Sequence, residues 1–194
     1  MTRLSPALRD SWGVLPADGG PALAVALPDG AVVLLRTPQP GDGERLRRLF
    51  YRLSPVTIHR WFFVAAPRLP EWAAALTRLA EVDGVDHAAT VAAVGDEVVG
   101  IARYDRPAPG PEAEVAILIE DAWQGRGLGR LLIARLGAEA AHRRIATFTA
   151  TILGENRRAV ALVSRQFAGA EVRFRGGEYR LRVRLDAPDP ADVS

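Results

Sequence analysis

The chain contains neither cysteine nor lysine, and each absence removes a class of chemistry. Without cysteine there is no disulfide framework, no thiolate metal ligand and no cysteine nucleophile. Without lysine, all 25 basic residues are arginine, and the protein has no lysine side chain of its own that could be acylated. Guanidinium does not titrate in the accessible range, so it lifts the isoelectric point to about 9.6 while the net charge is only +2. The simplest account of all-arginine usage is codon bias in a GC-rich genome. The arginines are interspersed with acids and no aromatic-basic run occurs, which argues against a nucleic-acid partner. No apolar run reaches the length of a membrane span, and the N-terminus lacks a basic-then-apolar leader; the expectation is a cytoplasmic protein with no membrane association. His59, His87 and His142 show no ligand spacing, so no metal site is expected.

What is present is an ordinary globular composition, 48% hydrophobic and 25% charged over 194 residues, enough for one domain with its own core. Residues 1–29 are rich in Pro and Gly and read as an N-terminal extension, with Ala22–Leu27 as its only apolar stretch and room for one added strand. The domain proper is expected over residues 30–185, and the Pro-, Ala- and acid-rich tail at 186–194 as disordered. Ala31–Arg36 reads as a strand. Helices follow over Asp42–Leu53, over Ser54–Phe62 with Ser54 as cap and Pro55 at the first position, and over Glu71–Glu81. His87–Val94 and Glu97–Tyr104 flank the tight turn Gly95-Asp96 as a hairpin. Then come a strand over Glu112–Ile119, a helix after residue 130, a strand over Thr147–Ile152, a helix over Asn156–Phe167, and a closing hairpin around Gly176-Gly177.

The most informative segment lies between the strand ending at Ile119 and the helix that follows: Gln124-Gly125-Arg126-Gly127-Leu128-Gly129-Arg130. Glycines at every second position let successive backbone N–H groups turn inward, and the helix start adds unpaired donors and the positive end of its dipole. Such a turn suits an anion, most simply a phosphate. A Walker loop would need a Lys after the glycines, and none follows. A Rossmann fingerprint needs Gly-x-Gly-x-x-Gly, and the spacing here is one residue short.

Gln124-Gly125-Arg126-Gly127-Leu128-Gly129 resembles the acetyl-coenzyme A loop of GNAT (Gcn5-related) N-acetyltransferases, whose pattern is Gln/Arg-x-x-Gly-x-Gly/Ala. The order of elements over about residues 31–185 is similar to that family as well. The resemblance implies an α/β (α+β) fold: a central mixed, mostly antiparallel sheet of about seven strands, splayed between strands 4 and 5 and flanked by helices. It implies acetyl-CoA as cosubstrate. Backbone groups of Ile117, Leu118 and Ile119 would pair with the pantetheine arm, and the Leu118 N–H would polarise the thioester carbonyl. Backbone donors of Gln124, Gly125, Arg126, Gly127, Leu128 and Gly129 would hold the pyrophosphate. Arg126 is the preferred side-chain partner of a phosphate, and Arg130 stands between that role and a solvated helix face. Asn156 falls where related enzymes contact the cofactor arm, although helix capping suits it equally.

Transfer to an amine needs a base, since the amine is protonated at neutral pH. Glu114 is the candidate, on the strand that would carry the thioester, with a pKa raised by desolvation beside the cofactor arm; a solvated strand terminus is the alternative, and Glu112 the reserve. Many family members carry a Tyr seven residues beyond the helix Asn to protonate the leaving thiolate. That position is Val163, which leaves Ser164 or water as donor. A weaker similarity, Leu53-Ser54-Pro55 with Arg60-Trp61-Phe62-Phe63, is to bacterial Pat-type protein-lysine acetyltransferase domains. In those, a Glu in an Ala-Glu-x-Ala strand is the base, and Ala113-Glu114-Val115-Ala116 fits. The expected activity is direct transfer of acetyl from acetyl-CoA to a primary amine, a protein lysine or a small molecule. The alternative is a catalytically weak acyl-CoA sensor or interaction module, motivated by Val163. A homodimer through the closing hairpin or residues 1–29 is compatible with the sequence but not demanded by it.

Overall fold

A computed structural model of the chain describes residues 22–63, 70–107, 109–167 and 169–185. The expectations for residues 1–21 and for the 186–194 tail lie outside the described residues. One sheet carries eight strands in the order β1-β2-β3-β4-β5-β6-β8-β7. They are β1 (Leu23–Ala26), β2 (Val32–Arg36), β3 (His87–Val94), β4 (Glu97–Asp105), β5 (Glu112–Ile119), β6 (Thr147–Leu153), β7 (Glu171–Arg175) and β8 (Glu178–Arg184). Among the described residues five α-helices flank it: α1 (Asp42–Arg52), α2 (Pro55–Phe62), α3 (Pro70–Thr77), α4 (Leu128–His142) and α5 (Arg157–Gln166). Every neighbouring pair is antiparallel except β5 and β6, which are parallel.

The eighth strand is β1, inside the stretch read as an extension. It pairs with β2 from Leu23↔Leu35 to Ala26↔Val32, and Leu27 and Pro28 lead into the turn. Its four residues are only half-buried in alternation, too short a signal to separate from the flanking Pro and Gly. Counting β1, the expected opening between the fourth and fifth strands falls between β5 and β6.

The central strands β3 and β4 are buried on both faces, and side-chain alternation divides the core in two. Ala88, Ala92, Ala102 and Tyr104 face α4, which contributes Leu128, Leu131, Leu132 and Leu136. Ala89, Val91, Ile101 and Leu118 face α1, α2 and α3, meeting Leu46, Leu49, Phe50, Ile58 and Leu76. A third cluster joins Ile133 of α4 and Val163 of α5 to Ile152, Leu181 and Val183 of β6 and β8. Trp61 and Phe62 pack on the α1–α3 cluster, while Phe63 caps α2 in the left-handed region at φ 60° and is 37% exposed.

The entry to α1 rests on a buried ion pair. Asp42, fully buried, receives Arg36 Nη1 at 2.5 Å and Nη2 at 2.9 Å, and the Gln39 amide at 2.7 Å. Burial pushes the Asp42 carboxyl up, but those donors outweigh it and hold it below the usual carboxylate range. A depressed folded-state value contributes stability above the unfolded pKa and loses it as pH falls through the folded one. Asp42→Ala strands Arg36 at 8% exposure without its partner, so a loss of about 3–5 kcal/mol in urea unfolding at pH 7 is expected. That difference shrinks as the comparison is moved to pH 3, below the ordinary Asp value.

Candidate active site

The β5–β6 ladder is short. It pairs Glu112↔Thr147, Ala113↔Phe148 and Glu114↔Thr149 and then stops, although β5 runs on to Ile119 and β6 to Leu153. Beyond that row β5 stays bonded to β4 as far as Gly100↔Ile119, and β6 to β8 as far as Leu153↔Glu178. The sheet therefore opens after Glu114, and backbone groups on the two facing edges lack a strand partner.

Register decides which amides face that opening. The Glu120 N–H donates to the Val99 carbonyl at 2.9 Å, so Val99 and Glu120 form a hydrogen-bonded antiparallel pair. By alternation the next such pair is Ile101↔Leu118, while Ile117 and Ile119 turn their backbone groups away from β4. A Cβ on Gly100 would lie 3.2 Å from the Leu118 carbonyl oxygen, which places that oxygen on the β4 side. The expectation that the Leu118 N–H polarises a thioester is thus corrected: its backbone is committed to β4 and its side chain is buried. Ile117 and Ile119 are the residues whose amides face the gap.

The glycine loop follows a 3₁₀ turn over Asp121–Trp123. Its three glycines turn out to have separate reasons. Gly125 and Gly127 are left-handed, at φ 76° and 89°, and Gly127 begins α4 with no side-chain cap. The first amides of α4 therefore have neither an intrahelical nor a capping acceptor. Gly129 lies inside the first turn, and a Cβ there would meet Leu162 Cδ2 at 2.9 Å; it is needed for the approach of α5. Leu128 is buried and fastens the loop to the core, leaving Gly125 and Gly127 exposed.

Side chains fix both ends of this loop. Gln124 Nε2 donates to the Ile119 carbonyl at 3.0 Å and to Thr57 Oγ1 at 3.2 Å. Asp121 accepts from the Ser54 amide at 2.8 Å, from Ser54 Oγ at 2.6 Å and from Thr57 Oγ1 at 2.8 Å. Burial raises the Asp121 carboxyl, but these hydrogen bonds outweigh it and leave it lowered. Ser54 also caps α2 through the Thr57 amide, as the Ser-Pro pattern indicated. Asp121 and Gln124 together tie α2 to the glycine loop.

The two loop arginines differ. Arg126 is ion-paired with Asp29 in the β1–β2 turn and stacks over Trp123, with its guanidinium carbon 4.2 Å from the ring centre. Arg130 is exposed and makes no ion pair among the described residues. Asn156 caps α5, its Oδ1 accepting from the Ala159 amide at 3.3 Å. Val163 is buried in the third apolar cluster, and Ser164 is exposed one position on.

Glu114 is exposed at the last paired row before the gap. It lines an open groove of about 600 Å³ with Thr149, Thr151, Arg173, Arg180 and Arg182. Glu112 is engaged by Arg182. Of the histidines, His87 does have a partner, Asp105, at 2.7 Å across the β3–β4 ladder. No group of three or more metal-ligating side chains occurs among the described residues, and no described helix is long and apolar enough to cross a membrane.

Comparison with known proteins places this arrangement. The chain is 35% identical over 119 residues to acetyltransferase PA5475 of Pseudomonas aeruginosa, covering 57% of this chain and 61% of that protein. It is 34% identical over 137 residues to acetyltransferase Pat of Mycolicibacterium smegmatis, covering 69% of this chain and 40% of that protein. The chain thus spans less than two thirds of either curated relative. The solved GNAT domain of S. lividans PAT superposes with a TM-score of 0.76 at 32% identity, over 84% of this chain and 97% of that one. With the acetyltransferase (GNAT) family model matching residues 52–168, across both the β5–β6 opening and the glycine loop, the chain belongs to the GNAT family of acyltransferases.

Proposed function

We propose that this protein transfers an acetyl group from acetyl-coenzyme A directly to a primary amine, either a protein lysine or a small molecule. The observation that carries the reading is the succession of three features from β5 into α4: a proton acceptor at Glu114, an unpaired strand edge formed by the Ile117 backbone and the Ile119 N–H, and uncapped amides at the start of α4. The coenzyme supplies an activated acyl thioester. The Ile117 and Ile119 edge pairs with the amides of its arm as an added strand would. The loop amides from Gln124 to Gly129, with Arg130, neutralise the pyrophosphate. Arg126 joins them only by giving up or sharing Asp29. The amide of Asn156 not used in capping reaches the same arm.

On the opposite face Glu114 takes the proton of the incoming ammonium or of the tetrahedral intermediate, so that the neutral nitrogen forms the new C–N bond. An edge amide of Ile117 or Ile119 holds the oxyanion while the C–S bond breaks. The thiolate takes its proton from solvent, because Val163 offers none. Buried Val163 is also the one observation favouring the second reading, an acyl-CoA-binding module that transfers slowly. Product formed above the uncatalysed rate with a broad amine panel decides between them.

Gly127→Asp adds a like charge at the pyrophosphate and a side chain at φ 89°. Calorimetry is expected to show coenzyme A affinity falling by a factor of about 100 or more, and unchanged affinity overturns the loop assignment. Glu114→Gln is expected to lower kcat/KM by about 10²-fold while coenzyme A affinity stays within about twofold. Equal turnover of wild type and variant from pH 6 to 9 would remove Glu114 from the mechanism.

A further inference from the structure

The closing hairpin carries a charge arrangement that its own stability does not explain. On the face shared with Glu114, β7 and β8 pair Glu171↔Arg182, Arg173↔Arg180 and Arg175↔Glu178. The outer two are opposite-charge pairs. The middle one sets two arginines directly across an antiparallel ladder, where like charges repel. Arg182 is already engaged by Glu112, whereas neither Arg173 nor Arg180 makes an ion pair among the described residues. Both line the groove that contains Glu114.

Register fixes the relation of this pair to the candidate base. Glu114 stands opposite Thr149 on β6, and Thr151, one same-face step further, stands opposite Arg180. Two strand spacings and one such step put Glu114 and Arg180 about 12 Å apart at Cα. Both side chains line the same groove, with Thr149 and Thr151 on the strand between them. A groove of about 600 Å³ is of the size that small-molecule sites have. One end presents a carboxylate suited to an amine. The other presents the guanidinium groups of Arg173 and Arg180, with the Glu171↔Arg182 pair beside them in the same lining, and these two forks suit a carboxylate held through several hydrogen bonds.

We infer that the acceptor of this enzyme carries an anionic group, a carboxylate separated by several bonds from the amine, and that Arg173 and Arg180 select for it. This rests on the transferase reading and narrows its substrate class. A bound carboxylate neutralises the Arg173–Arg180 repulsion and orients the amine toward Glu114 and the gap after it.

The test compares ω-amino acids from β-alanine to 6-aminohexanoate with their carboxamides, alongside lysine peptides bearing a neighbouring Glu or Gln. Binding to the protein saturated with coenzyme A is read by calorimetry, and acetylation with acetyl-coenzyme A as kcat/KM. Wild type is expected to prefer the carboxylate of each matched pair by about tenfold or more, and Arg173→Gln with Arg180→Gln to bring that ratio to about 1. A preference seen in the free amino acids assigns the carboxylate to a small acceptor; one confined to the peptides assigns it to a protein side chain. Equal use of acid and amide by wild type, or a preference that survives in the double variant, overturns the inference. Carboxylate- and arginine-dependent binding with no acetylated product keeps the inference and removes the transferase reading. Arg173→Glu, which restores an opposite-charge pair in the hairpin, is expected to melt at or above the wild-type temperature and yet to lose the preference. A melting temperature far below wild type would instead make the pair a structural feature.

Discussion

The early end of the parallel β5–β6 ladder at Glu114↔Thr149 is the constraint from which the rest follows. A sheet that stayed paired to Ile119 would spend the backbone groups of Ile117 and Ile119 on β6 and leave nothing for a ligand. The two half-sheets are kept apart by what lies beneath them. Helix α4 packs under the β2–β5 half and extends beneath β6 and β8 through Ile133, where Val163 of α5 joins it. The helices meet where Gly129 admits Leu162, and Ile117 touches both apolar clusters at that seam. The opening therefore has an apolar floor, supported by helix packing rather than by strand pairing, and its depth depends on a missing side chain at residue 129.

Polar contacts complete what packing begins. Ser54, Thr57, Asp121 and Gln124 link the start of α2 to the end of β5, so the loop leaves the sheet at a fixed angle. Asp29, Arg126 and Trp123 fasten the middle of the same loop to the β1–β2 turn. Arginine is essential to several of these joints. Arg36 meets Asp42 with both terminal nitrogens, and a lysine, a point charge with no fork, could not reproduce that contact. An all-arginine composition that begins as codon usage thus becomes structural at buried positions.

What could be read from the sequence was what is local. The glycine spacing, the Ser54-Pro55 cap and the strand–loop–helix order are set by neighbours within a few residues, and they appear where expected. What could not be read depends on register. Whether Leu118 or its neighbours face the gap turns on the pairing of β4 with β5, since a shift of one residue exchanges the two edges. The contact of Asp121 with Ser54 spans 67 residues and leaves no local trace. Arg173 and Arg180 look like two of many arginines until the hairpin sets them face to face. β1 forms in the stretch that left room for one added strand, although its four residues among Pro and Gly carry little periodicity of their own.

In the proposed transfer, the two faces of the opening divide the labour unequally. On the α5 side, Val163 lies among Ile133, Ile152, Leu181 and Val183 and itself offers no proton to a leaving sulfur, with Tyr179 packed against the same cluster. A thiol of pKa near 8.5 needs little help to leave as thiolate close to neutral pH. The attacking amine, with a pKa near 10 for a lysine-like acceptor, is almost entirely protonated there and cannot react until it loses that proton. The harder proton transfer is therefore on the acceptor side, where Glu114 and the charged hairpin stand. On the proposed reading, a site that concentrates its charged groups on that side, and packs the other mainly with apolar residues, is organised around the deprotonation and placement of the nucleophile rather than around departure of the thiol.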